Sequence, residues 1–212
     1  MPSKISHTFE EGSKKIDRDT VFRFAIDSHL RVVRELVHQE KTLQLVANAL
    51  INSIRSGGKI LWCGNGGSAA DCQHLAAEFV GRFRRERDGL PSIALTTDTS
   101  VLTAIGNDYG FNEVFRRQVK ALCTPRDVVI GISTSGSSKN VILAMSEAKN
   151  IGATAVCFTG SLEGELANIA DVVISVASRD TARIQEAHIL AGHILCDWVE
   201  TALFSSEMQL PG

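Results

Sequence analysis

Lys59-Ile60-Leu61-Trp62-Cys63, followed by Gly64-Asn65-Gly66-Gly67-Ser68-Ala69-Ala70-Asp71-Cys72-Gln73-His74-Leu75-Ala76-Ala77-Glu78, reads as a short apolar strand, a glycine-rich turn and the start of a helix. Glycine tolerates positive φ and close backbone approach, so Gly64, Gly66 and Gly67 suit a tight turn, and Ser68 is placed to cap the helix. The first amides of such a helix point at an anion: a phosphate, a carboxylate or an oxyanion. A tight turn without a ligand accounts for the glycines alone equally well. The stretch is not a dinucleotide fingerprint, because Ala69 stands where the last glycine belongs, and not a P-loop, because no Gly-Lys-Ser/Thr follows.

Outward from this stretch the pattern repeats. Before it, apolar residues across 21–55 recur at helical spacing, clearest at Leu43, Val46, Ala47, Leu50 and Ile54, and Gly57-Gly58 closes the segment. That predicts one or two amphipathic helices. After it, apolar runs at 92–95, 128–132, 153–158 and 172–176 join 59–63 as strand candidates, separated by helix-like segments of ten or more residues. Such alternation predicts an α/β fold, a three-layer α/β/α sandwich around a five-stranded parallel sheet. Residues 181–204 read as a long final helix with Ile184, Ala187, Ala191, Leu195 and Val199 as its buried stripe.

The strands end in polar loops: 64–68, Thr96-Thr97-Asp98, Ser133-Thr134-Ser135-Gly136-Ser137-Ser138 and Thr159-Gly160-Ser161. In an open α/β sheet, ligands bind outside the carboxyl ends of the strands, so these loops are expected on one rim. The 133–138 loop opens a helix through residues 140–148. Its hydroxyls and helix-start amides suit a phosphate dianion, although a cap needs only one of those hydroxyls.

Composition narrows the possibilities. A chain of 212 residues can bury one sizeable core, and residues 1–18 read as a flexible polar tail ahead of a single domain over 19–212. The net charge is −2 and the basic run at 82–87 is the longest, so the electrostatic footprint of a nucleic-acid binder is missing. No apolar stretch is long enough for a membrane span, and no signal peptide is read at the N-terminus. Cys63, Cys72, Cys123, Cys157 and Cys196 are odd in number and show no Cys-x-x-Cys spacing, which fits reduced thiols and a cytoplasmic setting.

His74 and Glu78 are four residues apart on a helix and share a face, a spacing that serves a metal pair, an acid/base pair or an ordinary exposed contact. In the last helix, Arg183-Ile184-Gln185-Glu186-Ala187-His188 through His193 sets polar groups in an apolar segment, and buried ones need partners. Gln185 and His193 are separated by about 12 Å along the axis, so one small ligand meets both only from either side. Glu186 and His188 read as solvated or as a subunit contact.

Taken together, the two serine/glycine loops, Ala104-Ile105-Gly106-Asn107-Asp108-Tyr109-Gly110, the His74/Glu78 pair and Arg183-Ile184-Gln185-Glu186 with His193 resemble the phosphoheptose isomerases of the sugar-isomerase (SIS) domain family across roughly residues 25–204. The resemblance implies a flavodoxin-like SIS fold with N-terminal helices, a homotetramer with sites near subunit boundaries, and conversion of sedoheptulose 7-phosphate to D-glycero-D-manno-heptose 7-phosphate, the entry to bacterial surface-glycan heptose. It implies that Ser68, Ser133, Thr134, Ser135 and Ser138 hold the phosphate and that Asn65, Gly66, Gly67, Asn107, Asp108 and Gln185 line the sugar. It implies Glu78 as base and His193 as acid, with His74, Glu78, Gln185 and His193 as ligands of one zinc per subunit.

The chemistry suits those residue types. Ketose–aldose interconversion moves a proton between C1 and C2 through an enediol, work for a carboxylate, while a histidine or a metal attends to the oxygens. A carboxylate bound tightly to zinc is a poorer base, so a weakly held metal or a carboxylate that shifts is expected. The same family includes non-catalytic members that bind a replication-initiator protein and lack the counterparts of Glu78 and His193, both present here. Sugar-sensing regulators usually pair the domain with a DNA-reading helix-turn-helix; the N-terminal helix region, mixed in charge, reads as too short for both module and linker, so a regulator is not expected.

Overall fold

The computed structural model describes residues 18–160 and 164–204. Five parallel strands, β1 (Ile60–Gly64), β2 (Ser92–Ala94), β3 (Val128–Ser133), β4 (Thr154–Thr159) and β5 (Val172–Ser175), pair in the order β2-β1-β3-β4-β5. The doubly wound order places the switch point between β1 and β3, where Gly64 pairs with Ile132 and the glycine-rich and serine loops leave the sheet side by side.

Both faces of the sheet are covered, which is why β1 and β3 are buried at every residue and read as continuous apolar runs. Successive side chains alternate between the faces. Ile60, Trp62, Ile130, Ile132, Phe158 and Ile174 pack against α2 (Glu40–Arg55), α3 (Gly67–Val80) and α8 (Thr181–Phe204). Leu61, Cys63, Val129, Ala155 and Cys157 pack against α5 (Arg116–Leu122), α6 (Lys139–Ile151) and α7 (Glu165–Ile169). α4 (Thr99–Tyr109) follows β2, capped by Asp98, whose carboxylate accepts from Val101 N at 2.9 Å. The helix stripe Ile184, Ala187, Ala191, Leu195 and Val199 is buried throughout.

The expected three-layer architecture is present, with some differences in detail. The 21–55 segment is two helices, α1 (Arg18–Glu35) and α2, joined by the 3₁₀ turn Leu36–Gln39. The turn redirects the chain so that α2 packs on the sheet, while Val32 and Leu36 pack on Ile184 and Ala187 of α8. α5 and α7 are shorter than ten residues: 95–127 is divided among α4, the 3₁₀ turn Phe111–Glu113 and α5, and only twelve residues, 160–171, separate β4 from β5. Arg18 opens α1, so the rest of the expected tail, residues 1–17, lies outside the described residues, as do Ser161 and residues 205–212. Among the described residues, no helix is long and apolar enough to cross a membrane, and all five cysteines are free.

Candidate functional site

The glycine-rich turn sets the position of α3. Gly66 has φ +56°, a conformation glycine adopts readily, and the helix starts at Gly67. Gly66 is therefore the cap and makes no side-chain capping bond, whereas Ser68, read as the cap from the sequence, sits inside the first turn and is buried. Gly64 and Gly67 keep negative φ. Gly67 serves close approach instead: a Cβ there would collide with the Gln185 amide.

α3 and α8 lie side by side and run in the same direction. Gly67 faces Gln185, Leu75 sits over Gly192, and His74 meets His193. Gln185 thus occupies the loop end of this seam, about 10 Å along the α3 axis from His74.

Further along the seam three ligating side chains converge. His74 Nε2 and His193 Nε2 are 2.9 Å apart, Glu78 Oε1 is 3.3 Å from His74 Nε2, and one donor atom from each residue lies within 4.8 Å of the others. Two imidazoles and a carboxylate with an open side match the donor set of a catalytic zinc. The three are on or near the surface, with His74 half exposed. Burial and the neighbouring His74 hold His193 below the usual histidine range, against the pull of Glu78.

Two residues that the sequence did not single out border this cluster. The Phe83 ring stacks on His193 with centroids 5.4 Å apart and planes 27° apart. Asp71, one turn before His74, has a buried Oδ2 with no partner; burial raises its carboxyl to about 6, the charge of His74 opposing.

The serine loop forms the second part. Ser133 Oγ donates to Ser138 Oγ at 3.0 Å, Ser133 and Ser135 hydroxyls lie 3.4 Å apart, and Ser137 Oγ donates to Ser135 Oγ at 2.9 Å. Ser138 precedes α6 without capping it through its side chain. Thr134 and Ser135 line a cavity of about 200 Å³ together with Ser178, Arg179, Thr181 and Ile184. A larger cavity of about 760 Å³ opens beside it, between α1 and the end of β5, and the histidine cluster does not line it.

Asn65 and Asn140 join the two loops: each Nδ2 donates to the other's Oδ1, at 2.8 and 2.9 Å. Asn140 was not legible as a site element, since nothing local marks its partner. Asn107 and Asp108 are exposed on the last turn of α4, where Asn107 Nδ2 donates to Asp108 Oδ1 at 2.8 Å. Glu186 and His188, read as solvated or as a subunit contact, have internal partners. Glu186 accepts from Arg183 at 2.6 Å and lies 2.7 Å from His29 of α1, and His188 is fully buried against Phe158. The coverage of α8 by α1 is what the helical pattern did not reveal.

The sequence profile of the SIS domain family matches residues 25–160. The phosphoheptose isomerase of Roseiflexus sp. (strain RS-1) is 54% identical over 190 residues, covering 88% of this chain and 96% of that protein. The phosphoheptose isomerase of Aquifex aeolicus (strain VF5) is 57% identical over 155 residues, 73% of this chain and 81% of that protein. Among solved structures, phosphoheptose isomerase GmhA from Neisseria gonorrhoeae superposes with a TM-score of 0.81 at 43% identity, covering 87% of this chain and 98% of that one.

Proposed function

Because this chain belongs to the phosphoheptose isomerases of the SIS domain family, we propose that it is the aldose–ketose isomerase that converts sedoheptulose 7-phosphate to D-glycero-D-manno-heptose 7-phosphate, the first step toward activated heptose precursors. The observation that carries this reading is the convergence of His74, Glu78 and His193 on a scaffold that also presents a hydroxyl-lined helix start.

Each group has a role consistent with its chemistry. Ser133, Thr134, Ser135 and Ser138, with Ser68 on the neighbouring helix start, bind the phosphate by hydroxyl and amide donation. Asn65, Gly66, Gly67, Asn107, Asp108 and Gln185 bind the sugar. Glu78 removes the proton from C1 of the ketose while His193 delivers a proton to O2, giving the enediol. Glu78 then returns its proton to C2, and His193 takes the proton from O1 to leave the aldose. Burial and the neighbouring His74 favour the uncharged ring of His193, which suits both transfers, since such a ring can donate its proton and regain one.

His74, Glu78 and His193 are the residues that would hold a zinc, one per subunit. Gln185 is proposed as a sugar contact and, on the family resemblance alone, as the fourth ligand; its amide lies against Gly67, apart from the three convergent residues. The metal would supply Lewis-acid polarisation of a substrate oxygen. The homotetramer is supported by α1, where Phe22 and Phe24 are 68% and 67% exposed alongside Val21 and Ile26. A cytoplasmic setting is supported by the five free thiols. The non-catalytic reading has no observation in its favour, since Glu78 and His193 stand together.

The test is incubation with sedoheptulose 7-phosphate, followed by NMR with and without a chelator. An aldose 7-phosphate signal is expected, strongest in the zinc-replete sample. No aldose under either condition would refute the enzyme reading.

A further inference from the structure

Residues 81–91, between α3 and β2, cross α8 without regular structure, and one buried ion pair holds them in place. The side chains of Arg87 and Glu200 are 2% and 1% exposed. Glu200 Oε1 accepts from Phe83 N at 3.0 Å and from Arg87 Nε at 2.9 Å, and Oε2 accepts from Arg84 N at 2.8 Å and Arg85 N at 3.0 Å. Three consecutive amides folded around one carboxylate form a nest. The other edge of the guanidinium closes the end of α3: Nη2 donates to Glu78 O at 2.9 Å, and Nη1 to Phe79 O at 2.8 Å and Gly81 O at 3.1 Å. Glu78 O and Phe79 O belong to the last turn of α3, whose carbonyls have no partner within the helix; Phe79 O also accepts from Leu90 N at 2.9 Å.

One carboxylate and one guanidinium therefore fix two things at once, the backbone of Glu78 and the segment that carries Phe83. Phe83 in turn stacks on the His193 imidazole, tilted by 27° with centroids 5.4 Å apart. We propose that Phe83 and the Arg87–Glu200 pair are positioning residues for the isomerisation: Phe83 sets the ring plane of His193, and the ion pair sets Phe83 and the Glu78 turn.

The inference rests on the isomerase reading, and it goes beyond that reading by assigning three residues that touch neither phosphate nor sugar there. The stacked ring restricts rotation of the imidazole about its Cβ–Cγ bond. A displacement of a reacting group by about 1 Å can cost a factor of about 100 in rate.

The experiment compares Phe83→Ala, Phe83→Tyr, Arg87→Lys and the Phe83→Ala/Arg87→Lys double variant, all as the full chain. Phe83 is partly buried and packs against the main core, so the urea midpoint of each variant is read beside its kinetics, and Phe83→Tyr keeps the ring in place. For Phe83→Ala, kcat is expected to fall about 10-fold to 100-fold with KM within about threefold. Zinc content after dialysis, measured without substrate, is expected to fall in the same variant. Phe83→Tyr restores both readouts, because the ring remains. Arg87→Lys lowers kcat, and the double variant loses less than the product of the two single losses, because the part of the Arg87 effect that passes through Phe83 is already gone while the part that passes through the Glu78 carbonyl remains. The proposal is overturned by Phe83→Ala with kcat and zinc content at the wild-type level, by failure of Phe83→Tyr to restore them, or by fully additive losses. If the wild-type chain itself forms no aldose, the isomerase reading fails, whereas the zinc readout still decides whether Phe83 positions His193.

Discussion

Two polar clusters sit two turns apart on the same helix, and they differ in how their hydrogen-bonding capacity is used. At Glu200, buried and charged, every approach is filled: three amides and a guanidinium surround the carboxylate. Burial alone would raise its pKa, but the amides of Arg84, Phe83 and Arg85 and the charge of Arg87 hold it below the usual carboxylate range. At His193, the strong donors and acceptors point at one another, with two imidazole nitrogens only 2.9 Å apart and a carboxylate oxygen 3.3 Å from one of them. A carboxylate enclosed by its own donors holds the fold; ligating groups that converge at the surface are placed to receive something else.

The contrast predicts opposite outcomes for two carboxylates of the same chain. Glu78→Gln keeps shape and removes the base, so turnover of sedoheptulose 7-phosphate is expected to fall by about 10⁴-fold, the upper end for a general base. Its urea midpoint and its oligomeric mass are expected to stay at wild-type values. Activity within about tenfold of wild type would remove Glu78 from the role of base.

Glu200→Ala reverses the pattern. It leaves Arg87 buried without its counter-charge and frees three amides, and breaking a buried pair costs about 3–5 kcal/mol. A urea midpoint shifted by that amount is the expected result, read at fixed protein concentration because assembly contributes to apparent stability. A stability change below about 1 kcal/mol would mean that the nest is water-accessible, and the distinction between the two clusters would collapse.

These clusters also mark the limit of what the chain discloses in sequence. The five strands were legible because a sheet covered on both faces reads as contiguous apolar runs, and the last helix was legible from its stripe at Ile184 through Val199. The spacing of His74 and Glu78 shows that they share a helix face but not what that face does. The arrival of His193 from 119 residues away is a tertiary fact, indicated only by the resemblance of the whole motif set to one family. Residues 82–87 look like a solvated basic run, because nothing nearby reveals that a carboxylate 113 residues further on folds their amides around itself. Ser68 was misread as a cap for a smaller reason: the positive φ of Gly66 starts the helix before it.

His188 tests the comparison most finely, because it is a third polar group on α8 and lies between the two extremes. It is fully buried; its Nε2 is 3.3 Å from Thr159 O, and its Nδ1 has no partner. Burial pushes the imidazole down to about 4, the bond to Thr159 acting in the opposite direction. An unfolded chain titrates this histidine near 6.5, so between the two values the unfolded state binds more protons than the folded one. The corresponding stability is complete above about pH 6.5 and is lost as pH falls toward about 4, on the order of 3 kcal/mol in all. Urea unfolding is followed at a series of pH values with a chelator present, so that metal binding does not enter. Asp71, raised to about 6, contributes a slope of opposite sign below that pH, so the His188 part is read as the difference between wild type and a His188 variant. His188→Gln keeps a donor toward Thr159 but cannot be protonated, and its stability should fall less steeply than that of wild type as pH drops from about 6.5 toward about 4. Equal slopes for the two proteins would show that His188 accepts its proton inside the folded core, through water that reaches Nδ1. It would then belong with the open cluster at His193 and not with the closed one at Glu200.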